Sequence, residues 1–227
     1  MNYVEKHSIN EKGRDFVVGD IHGHYTKLMK ALDSVGFDFN KDRLFSVGDL
    51  VDRGPENEVI VQMIGNQFFF PVRGNHDDFA IRYHTIGKMD DEHYRRNGGG
   101  WFIDLPLEER ARVADALGSL PFAIEVETIN GKVGIIHADV PVPDWGDLEK
   151  YLAASKGHRQ RAMWARDRFE LQDDSEISGI DHVIVGHNCH PVVVTLGNVH
   201  HIDTGGWLPD DCHGYFTLLE ISKLGNL

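Results

Sequence analysis

The chain predicts an α/β fold in which two mixed β sheets pack as a sandwich flanked by helices, and three features of the sequence carry that expectation. Short apolar runs alternate with amphipathic helical stretches through the first third, which is the pattern of parallel strands with crossover helices. Closely spaced β-type runs follow Pro121, and polar clusters containing Asp, His or Asn directly follow several of the apolar runs.

Taken in order, Phe16 to Val18 reads as a strand, about Tyr25 to Val35 as an amphipathic helix, and Leu44 to Val47 as a second strand. A helix over about Asn57 to Ile64 and a strand over Phe68 to Val72 complete a βαβαβ unit, which implies right-handed crossovers. The middle is helical over roughly Asp77 to Ile86 and Leu107 to Leu117, broken by Gly98 to Gly100, which read as a turn before Trp101. Phe122 to Thr128 and Lys132 to Ile136 form a hairpin on Asn130-Gly131. Later strands are expected at His182 to Val185, Val192 to Leu196, His200 to Ile202 and Tyr215 to Ile221. The 227 residues suit one well-cored domain spanning 1–227, with no repeat or linker.

Charge and cysteine content narrow the setting. The formal net charge is -13, from 23 basic and 36 acidic side chains, which disfavours nucleic acid and anionic membranes as partners. Met1 to Arg14 has no apolar signal core and no later segment approaches a membrane span, so a cytoplasmic protein is expected. Cys189 and Cys212 are too few for a disulfide framework and read as reduced thiols. Acidic stretches at Asp90-Asp91-Glu92 and Asp173-Asp174 read as solvated surface.

Three islands concentrate the chemistry: Gly-Asp-Ile-His-Gly at 19–23, Gly-Asp-Leu-Val-Asp-Arg-Gly at 48–54, and Arg-Gly-Asn-His-Asp at 73–77. Each follows an expected strand, placing Asp20, His22, Asp49 and Asn75 at strand carboxyl ends. His137 and His187 also follow apolar runs. Oxygen and imidazole donors of this kind suit divalent ions. One bridging carboxylate, assigned to Asp49, would let the six side chains hold two ions about 3.5 to 4 Å apart, as phosphoryl transfer requires.

The islands, in this order and followed by His137 and His187, resemble the metallophosphoesterase signature. Within it they are similar to the phosphoprotein phosphatase family of the bacteriophage lambda Ser/Thr phosphatase and its bacterial relatives. Asn97 to Trp101, His137-Ala138-Asp139, Trp164-Ala165-Arg166 and Ile202 to Gly205 extend the likeness through nearly the whole chain. The resemblance implies a calcineurin-like fold, Asp20, His22 and Asp49 on one metal, and Asp49, Asn75, His137 and His187 on the other. It implies His76 as general acid, Asp52 as its orienting partner, and Arg53, Arg73 and Arg166 as phosphate-binding guanidiniums. The implied ions are divalent, Mn first, with Fe or Zn as alternatives. The implied substrate is a phosphorylated protein, attacked in line by a metal-bridging hydroxide at phosphoserine or phosphothreonine, with phosphotyrosine and phosphohistidine as further candidates.

Two segments depart from the family pattern. Asp77 stands where relatives have Glu, one methylene longer, and Gly186-His187-Asn188-Cys189-His190-Pro191 replaces Gly-His-Thr-Pro. His190 reads as a loop residue. The other histidines, including His24, His84, His93, His158 and His213, read as surface or helix-face residues. Trp101, Trp145, Trp164 and Trp207 read as packing residues, with Trp164 also suited to the pocket wall. Arg159, Arg161 and Arg168 read as a charged helix face. Neither cysteine has an arginine six positions later and no Gly-x-x-x-x-Gly-Lys loop is present, which removes a cysteine phosphatase and a P-loop nucleotidase. Hydrolysis of a dinucleotide polyphosphate is the competing enzyme reading, and an inactive regulatory module is disfavoured because every ligand position is filled.

Overall fold

The computed structural model describes residues 3–87 and 89–226. Strands β1 (Val4–His7), β2 (Asp15–Val18), β3 (Arg43–Ser46) and β4 (Phe69–Pro71) fall in the first third, with helices α1 (Tyr25–Ser34) and α2 (Asn57–Met63) between them. Helices α3 (Asn75–Ile86), α4 (Asp91–Arg96), α5 (Gly100–Ile103) and α6 (Leu107–Gly118) make the middle. The hairpin β5 (Ala123–Thr128) and β6 (Gly131–Ile136) leads into α7 (Leu148–Ala154), α8 (Lys156–Trp164) and α9 (Asp167–Leu171). Strands β7 (His182–Val185), β8 (Val194–Leu196), β9 (Val199–His201) and β10 (Leu218–Glu220) close the fold.

The strands form two mixed sheets, one in the order β1-β5-β6-β7-β9-β8 and the other in the order β10-β2-β3-β4. In the smaller sheet β2, β3 and β4 run parallel, as the βαβαβ pattern requires, and β10 joins antiparallel to β2. In the larger sheet β5 and β6 are antiparallel, while β6, β7 and β9 run parallel.

Strand alternation explains how the sheets meet. Val17 and Phe45 of the smaller sheet pack on Ile124, Val126, Val133, Ile135 and Ile184 of the larger one. The neighbouring residues Phe16, Val18 and Leu44 face outward and are covered by Leu28, Leu32 and Ile60 of α1 and α2. Ala123, Ile136, Val183 and Val185 face the other way, onto Leu148, Leu152, Ala162 and Met163. The result is a helix–sheet–sheet–helix sandwich. A fully buried leucine such as Leu28 or Leu32 contributes about 1.5–3 kcal/mol to holding such layers together.

Several boundaries differ from expectation. The strand expected from Tyr215 spans only Leu218–Glu220, because Tyr215 and Phe216 belong to a loop where Thr204 Oγ1 donates to the Tyr215 carbonyl. Gly98 makes the expected turn with φ 95°, but Gly100 already begins α5. β1 lies in a stretch without an apolar run; it has one buried residue, Val4, and is recruited by parallel pairing with β5.

On β9, His200 and His201 are both buried, and neither ring nitrogen of His201 has a partner among the described residues. Burial holds both imidazoles down to about 4, with His182 adding for His200 and Arg168 for His201. Folded pKa values depressed below the ordinary 6.5 mean that the unfolded chain binds more protons in this window. Stability is therefore full above pH 6.5 and is lost as pH falls toward 4, by up to about 1.4 kcal/mol per pH unit for each histidine. His201→Phe is expected to raise the melting temperature and to flatten the stability profile between pH 6.5 and 4. Denaturant titrations across that range measure it; an unaltered slope would contradict the assignment.

Candidate metal centre

The islands meet at one end of the sandwich because every contributing strand delivers its carboxyl end there. β2 leads to Asp20 and His22, β3 to Asp49, Asp52 and Arg53, and β4 to Asn75 and His76. From the larger sheet β6 leads to His137, β7 to His187 and β9 to Asp203. Of the seven described non-glycine residues with positive φ, five lie here: His22, Asp49, Asp52, Arg53 and His187. Left-handed backbone at non-glycine residues costs of order 1–3 kcal/mol each and persists where its surroundings impose it.

The loop from Val47 to Val51 is the hub. Asp49 O accepts from the backbone N–H groups of Ile21 and His22, at 3.1 and 2.8 Å. The His22 Nδ1–H donates to Val51 O at 2.8 Å and the His137 Nδ1–H to Val47 O at 2.7 Å. Both tautomers are thereby fixed with the Nε2 lone pair directed inward. The two Asp49 oxygens diverge: Oδ2 lies 3.6 Å from His22 Nε2 and Oδ1 3.4 Å from His137 Nε2. A Cβ on Gly48 would sit 2.6 Å from Gly74 N, and one on Gly74 2.2 Å from Asp49 N, so the second and third islands can touch backbone to backbone only as glycines.

Two buried clusters share Asp49, one with His22 and His76 and one with His137 and His187, and within each the ligand-type atoms lie within 4.8 Å of one another. His76 has both ring nitrogens engaged: Nδ1 lies 2.9 Å from Asp52 Oδ2, and Nε2 accepts from Arg53 Nη2 at 3.0 Å. His22 Nε2 and His187 Nε2, by contrast, are buried with no partner among the described residues. His137 Nε2 faces Asn75 Oδ1 at 2.8 Å, two lone pairs that a shared cation would reconcile. Asp20 is near the same centre, its carboxylate accepting from the His187 backbone N–H at 3.1 and 3.2 Å.

Electrostatics agree with that geometry. Burial pushes Asp20 well above the usual carboxylate range, with Asp203 and Asp49 adding to it. Burial also opposes the Asp49 charge, and positive charge in the surrounding cluster, His137 first, is what lowers it below its ordinary value. Burial keeps His22, His137 and His187 neutral, the last down to about 2. Neutral imidazoles, crowded carboxylates and orphaned nitrogens fit a dinuclear divalent metal site.

Other expected residues divide. Arg166 reaches the site, where Nη1 donates to Asn188 Oδ1 at 2.8 Å and to His187 O at 3.4 Å. Arg73 does not join the other arginines. Its guanidinium donates to the carbonyls of Gly118 and Leu120 and stacks over Phe122, so its role is to tie β4 to the end of α6. Asp77, despite the shorter side chain, accepts from Leu50 N at 3.0 Å and Gly74 N at 2.8 Å; burial and then Asp49 raise its carboxyl to about 7. His190 packs edge-on to Phe169 and bonds within its own loop. Arg168, expected on a charged helix face, is buried and paired with Asp139 at 3.0 Å.

Sequence reasoning missed the supports. Asp52 Oδ1 accepts from Trp101 Nε1 at 2.9 Å and from Tyr94 Oη at 3.2 Å, so Trp101 is more than packing. Trp164 is 37% exposed and stands edge-on to His187 and Phe79. Asn188 and Asp203 carry no motif signal for these roles beyond lying in segments that already drew notice.

The calcineurin-like phosphoesterase model matches residues 16–191. The chain is 35% identical over 196 residues to serine/threonine-protein phosphatase 2 of Escherichia coli, covering 84% of this chain and 86% of that protein. It is 36% identical over 194 residues to serine/threonine-protein phosphatase 1 of Salmonella typhimurium, covering 84% and 85%. Among solved structures, a cold-active protein-tyrosine phosphatase from a psychrophilic Shewanella shares the fold, with a TM-score of 0.65 at 17% identity over 97% of this chain and 78% of that one.

Because Asp49 serves both clusters, Asp49→Asn is expected to lower bound metal at both. Elemental analysis of the purified variant checks it, with His213→Asn, an exposed residue, expected to keep the wild-type content. Retention of two equivalents by the Asp49 variant would end the bridging assignment.

Proposed function

The chain belongs to the calcineurin-like phosphoesterase family, and from that premise we propose that it is a metal-dependent protein phosphatase acting on phosphoserine and phosphothreonine. The observation that carries this reading is the Asp49 carboxylate shared between two ligand clusters, with the His76–Asp52 pair beside it. Identity of 35–36% to serine/threonine phosphatases over most of the chain supports the same substrate class.

Asp20, His22 and Asp49 would hold one divalent ion, and Asp49, Asn75, His137 and His187 the other. The carboxylate and amide oxygens suit Mn, the first choice, and together with the borderline imidazole nitrogens also Fe or Zn. Once bound, such ions supply an activated water and neutralise charge on the phosphoryl oxygens. Arg53 and Arg166 donate paired hydrogen bonds to the phosphate, Arg166 from a guanidinium already anchored on Asn188.

His76 acts as the general acid. Its Nε2 accepts from Arg53 in this structure, so its proton sits on Nδ1 against Asp52. When Arg53 turns onto the phosphate, Nε2 is released, can take up a proton, and delivers it to the leaving oxygen. Asp52 Oδ2 stabilises the resulting imidazolium. A serine or threonine alkoxide is a strong base and leaves poorly without that proton. The exposed free thiols Cys189 and Cys212 suit a reducing compartment, and the reading places the enzyme in the cytosol.

The substrate class is tested by comparing a phosphoserine peptide with diadenosine tetraphosphate, each with Mn supplied; preferential turnover of the dinucleotide would replace the phosphatase reading. For the acid, His76→Asn is expected to cost on the order of 10²- to 10⁴-fold in kcat on the peptide and less on p-nitrophenyl phosphate, whose phenolate leaves unprotonated. Equal fractional losses on both substrates, with metal intact, would move His76 out of the acid role. For the arginines, Arg166→Ala is expected to weaken inhibition by free phosphate and lower kcat/KM without loss of metal, while Arg73→Leu lowers thermal stability and spares phosphate inhibition. The reverse pattern would return Arg73 to the phosphate site.

A further inference from the structure

We propose that Trp207 is a positioning residue for the Arg53 guanidinium, holding its plane ready for the substrate phosphate; the proposal rests on the phosphate-binding role given to Arg53 above. The Arg53 guanidinium carbon lies 4.3 Å from the centre of the Trp207 ring. The opposite demand on that arginine comes from His76 Nε2, 3.0 Å from Arg53 Nη2. Trp207 also stands edge-on to His22, with ring centroids 4.9 Å apart. One indole therefore touches a candidate metal ligand and a candidate phosphate ligand.

The indole is itself held from behind. Asp203 Oδ1 accepts from Trp207 Nε1 at 3.2 Å and from Gly205 N at 3.1 Å, and Asp203 is buried. Leu208 N donates to Gly205 O at 2.8 Å, closing the turn that presents Trp207. Gly205 has φ 73°, and a Cβ there would lie 2.6 Å from Leu208 Cδ1. The turn is braced again by the Gly205–Tyr215 bridge and by Thr204 Oγ1 donating to Tyr215 O. A ring anchored at so many points is a platform rather than a mobile surface aromatic.

The physical consequence concerns the arginine. A free arginine side chain samples many rotamers and loses that freedom on gripping an anion. Stacking on an indole face restricts the guanidinium before the anion arrives while leaving its in-plane N–H donors free, so less is lost on binding. Arg53 can then turn from His76 to the phosphate in the plane of the stack. Residues that hold Arg53 by its face, without competing for its donors, leave the paired hydrogen bonds for the substrate.

The test uses the full chain loaded with Mn, and reads metal content, kcat and KM on p-nitrophenyl phosphate, and inhibition by inorganic phosphate. Trp207→Leu is expected to weaken phosphate inhibition about 3- to 30-fold and to raise KM by a similar factor, with a smaller effect on kcat. Trp207→Phe, which keeps an aromatic face and loses the bond to Asp203, should recover most of the difference, and it replaces the leucine variant if that one does not fold. In an Arg53→Ala background, Trp207→Leu should add less than about twofold, because the two residues act as one unit. An undiminished Trp207 effect in that background overturns the proposal alone. So does metal loss in parallel with weakened phosphate binding, which would make Trp207 a support of His22. Arg53→Ala that leaves phosphate inhibition unchanged overturns the premise and the proposal together.

Discussion

The arrangement depends on keeping one carboxylate, Asp49, charged in a dry interior. Burial opposes that charge, and positive charge in the surrounding cluster offsets the burial. Carbonyls of Val47 and Val51, two residues on either side of Asp49, accept the Nδ1 protons of His137 and His22 and so turn their Nε2 atoms toward it. The five-residue loop thus carries the carboxylate common to both clusters and fixes two rings from positions 27 and 88 residues away in sequence. A further donor, His76 N, reaches Asp49 Oδ1 at 2.9 Å from the first turn of α3, where helix amides are unpaired and favour an anion.

Such a loop is not stable by itself. It needs positive φ at Asp49, with Asp52 and Arg53 just beyond it also positive, and two backbones in direct contact at Gly48 and Gly74. The sandwich beneath absorbs that strain, since Val47, Leu50 and Val51 are all fully buried, in two different core clusters. Asp77 then links the islands from below, one oxygen to Leu50 N and the other to Gly74 N. Its replacement of the longer Glu is accommodated because both donors, Leu50 N–H and Gly74 N–H, lie on main chain already brought together by the glycines.

The candidate ligands were legible in the sequence because each follows an apolar run, and strand ends are local features. Asp20, His22, Asp49, Asn75, His137 and His187 all lie around the centre the islands implied, and the βαβαβ order was equally readable from periodicity. What was not legible depends on side-chain direction. Arg73 sits inside an island yet turns to the α6 end, where the carbonyls of Gly118 and Leu120 and the face of Phe122 take its guanidinium. Trp101 and Tyr94 reach Asp52 from 49 and 42 residues away, and Trp207 reaches Arg53 from the loop between β9 and β10. Aromatic residues in such positions carry the composition of core, and only their polar tips and faces distinguish them. β1 escaped notice for a related reason: an edge strand with a single buried residue has no periodicity to read.

A formal net charge of -13 is unfavourable for holding a phosphate dianion, and the local geometry explains how the site can still do so. Asp20, Asp49, Asp52 and Asp203 are buried around the centre, while Arg53 and Arg166 are the cations the structure brings there. Without further positive charge that balance repels a phosphate dianion and leaves buried carboxylates poorly compensated: burial first, and neighbouring carboxylates after it, raise Asp20 and Asp203. Two divalent ions would reverse both terms together: they relieve the carboxylates and turn the local field positive, whatever the charge of the distant surface. Metal binding and phosphate binding are therefore expected to be coupled through the same carboxylates, with the arginines aligning an anion that the ions make welcome.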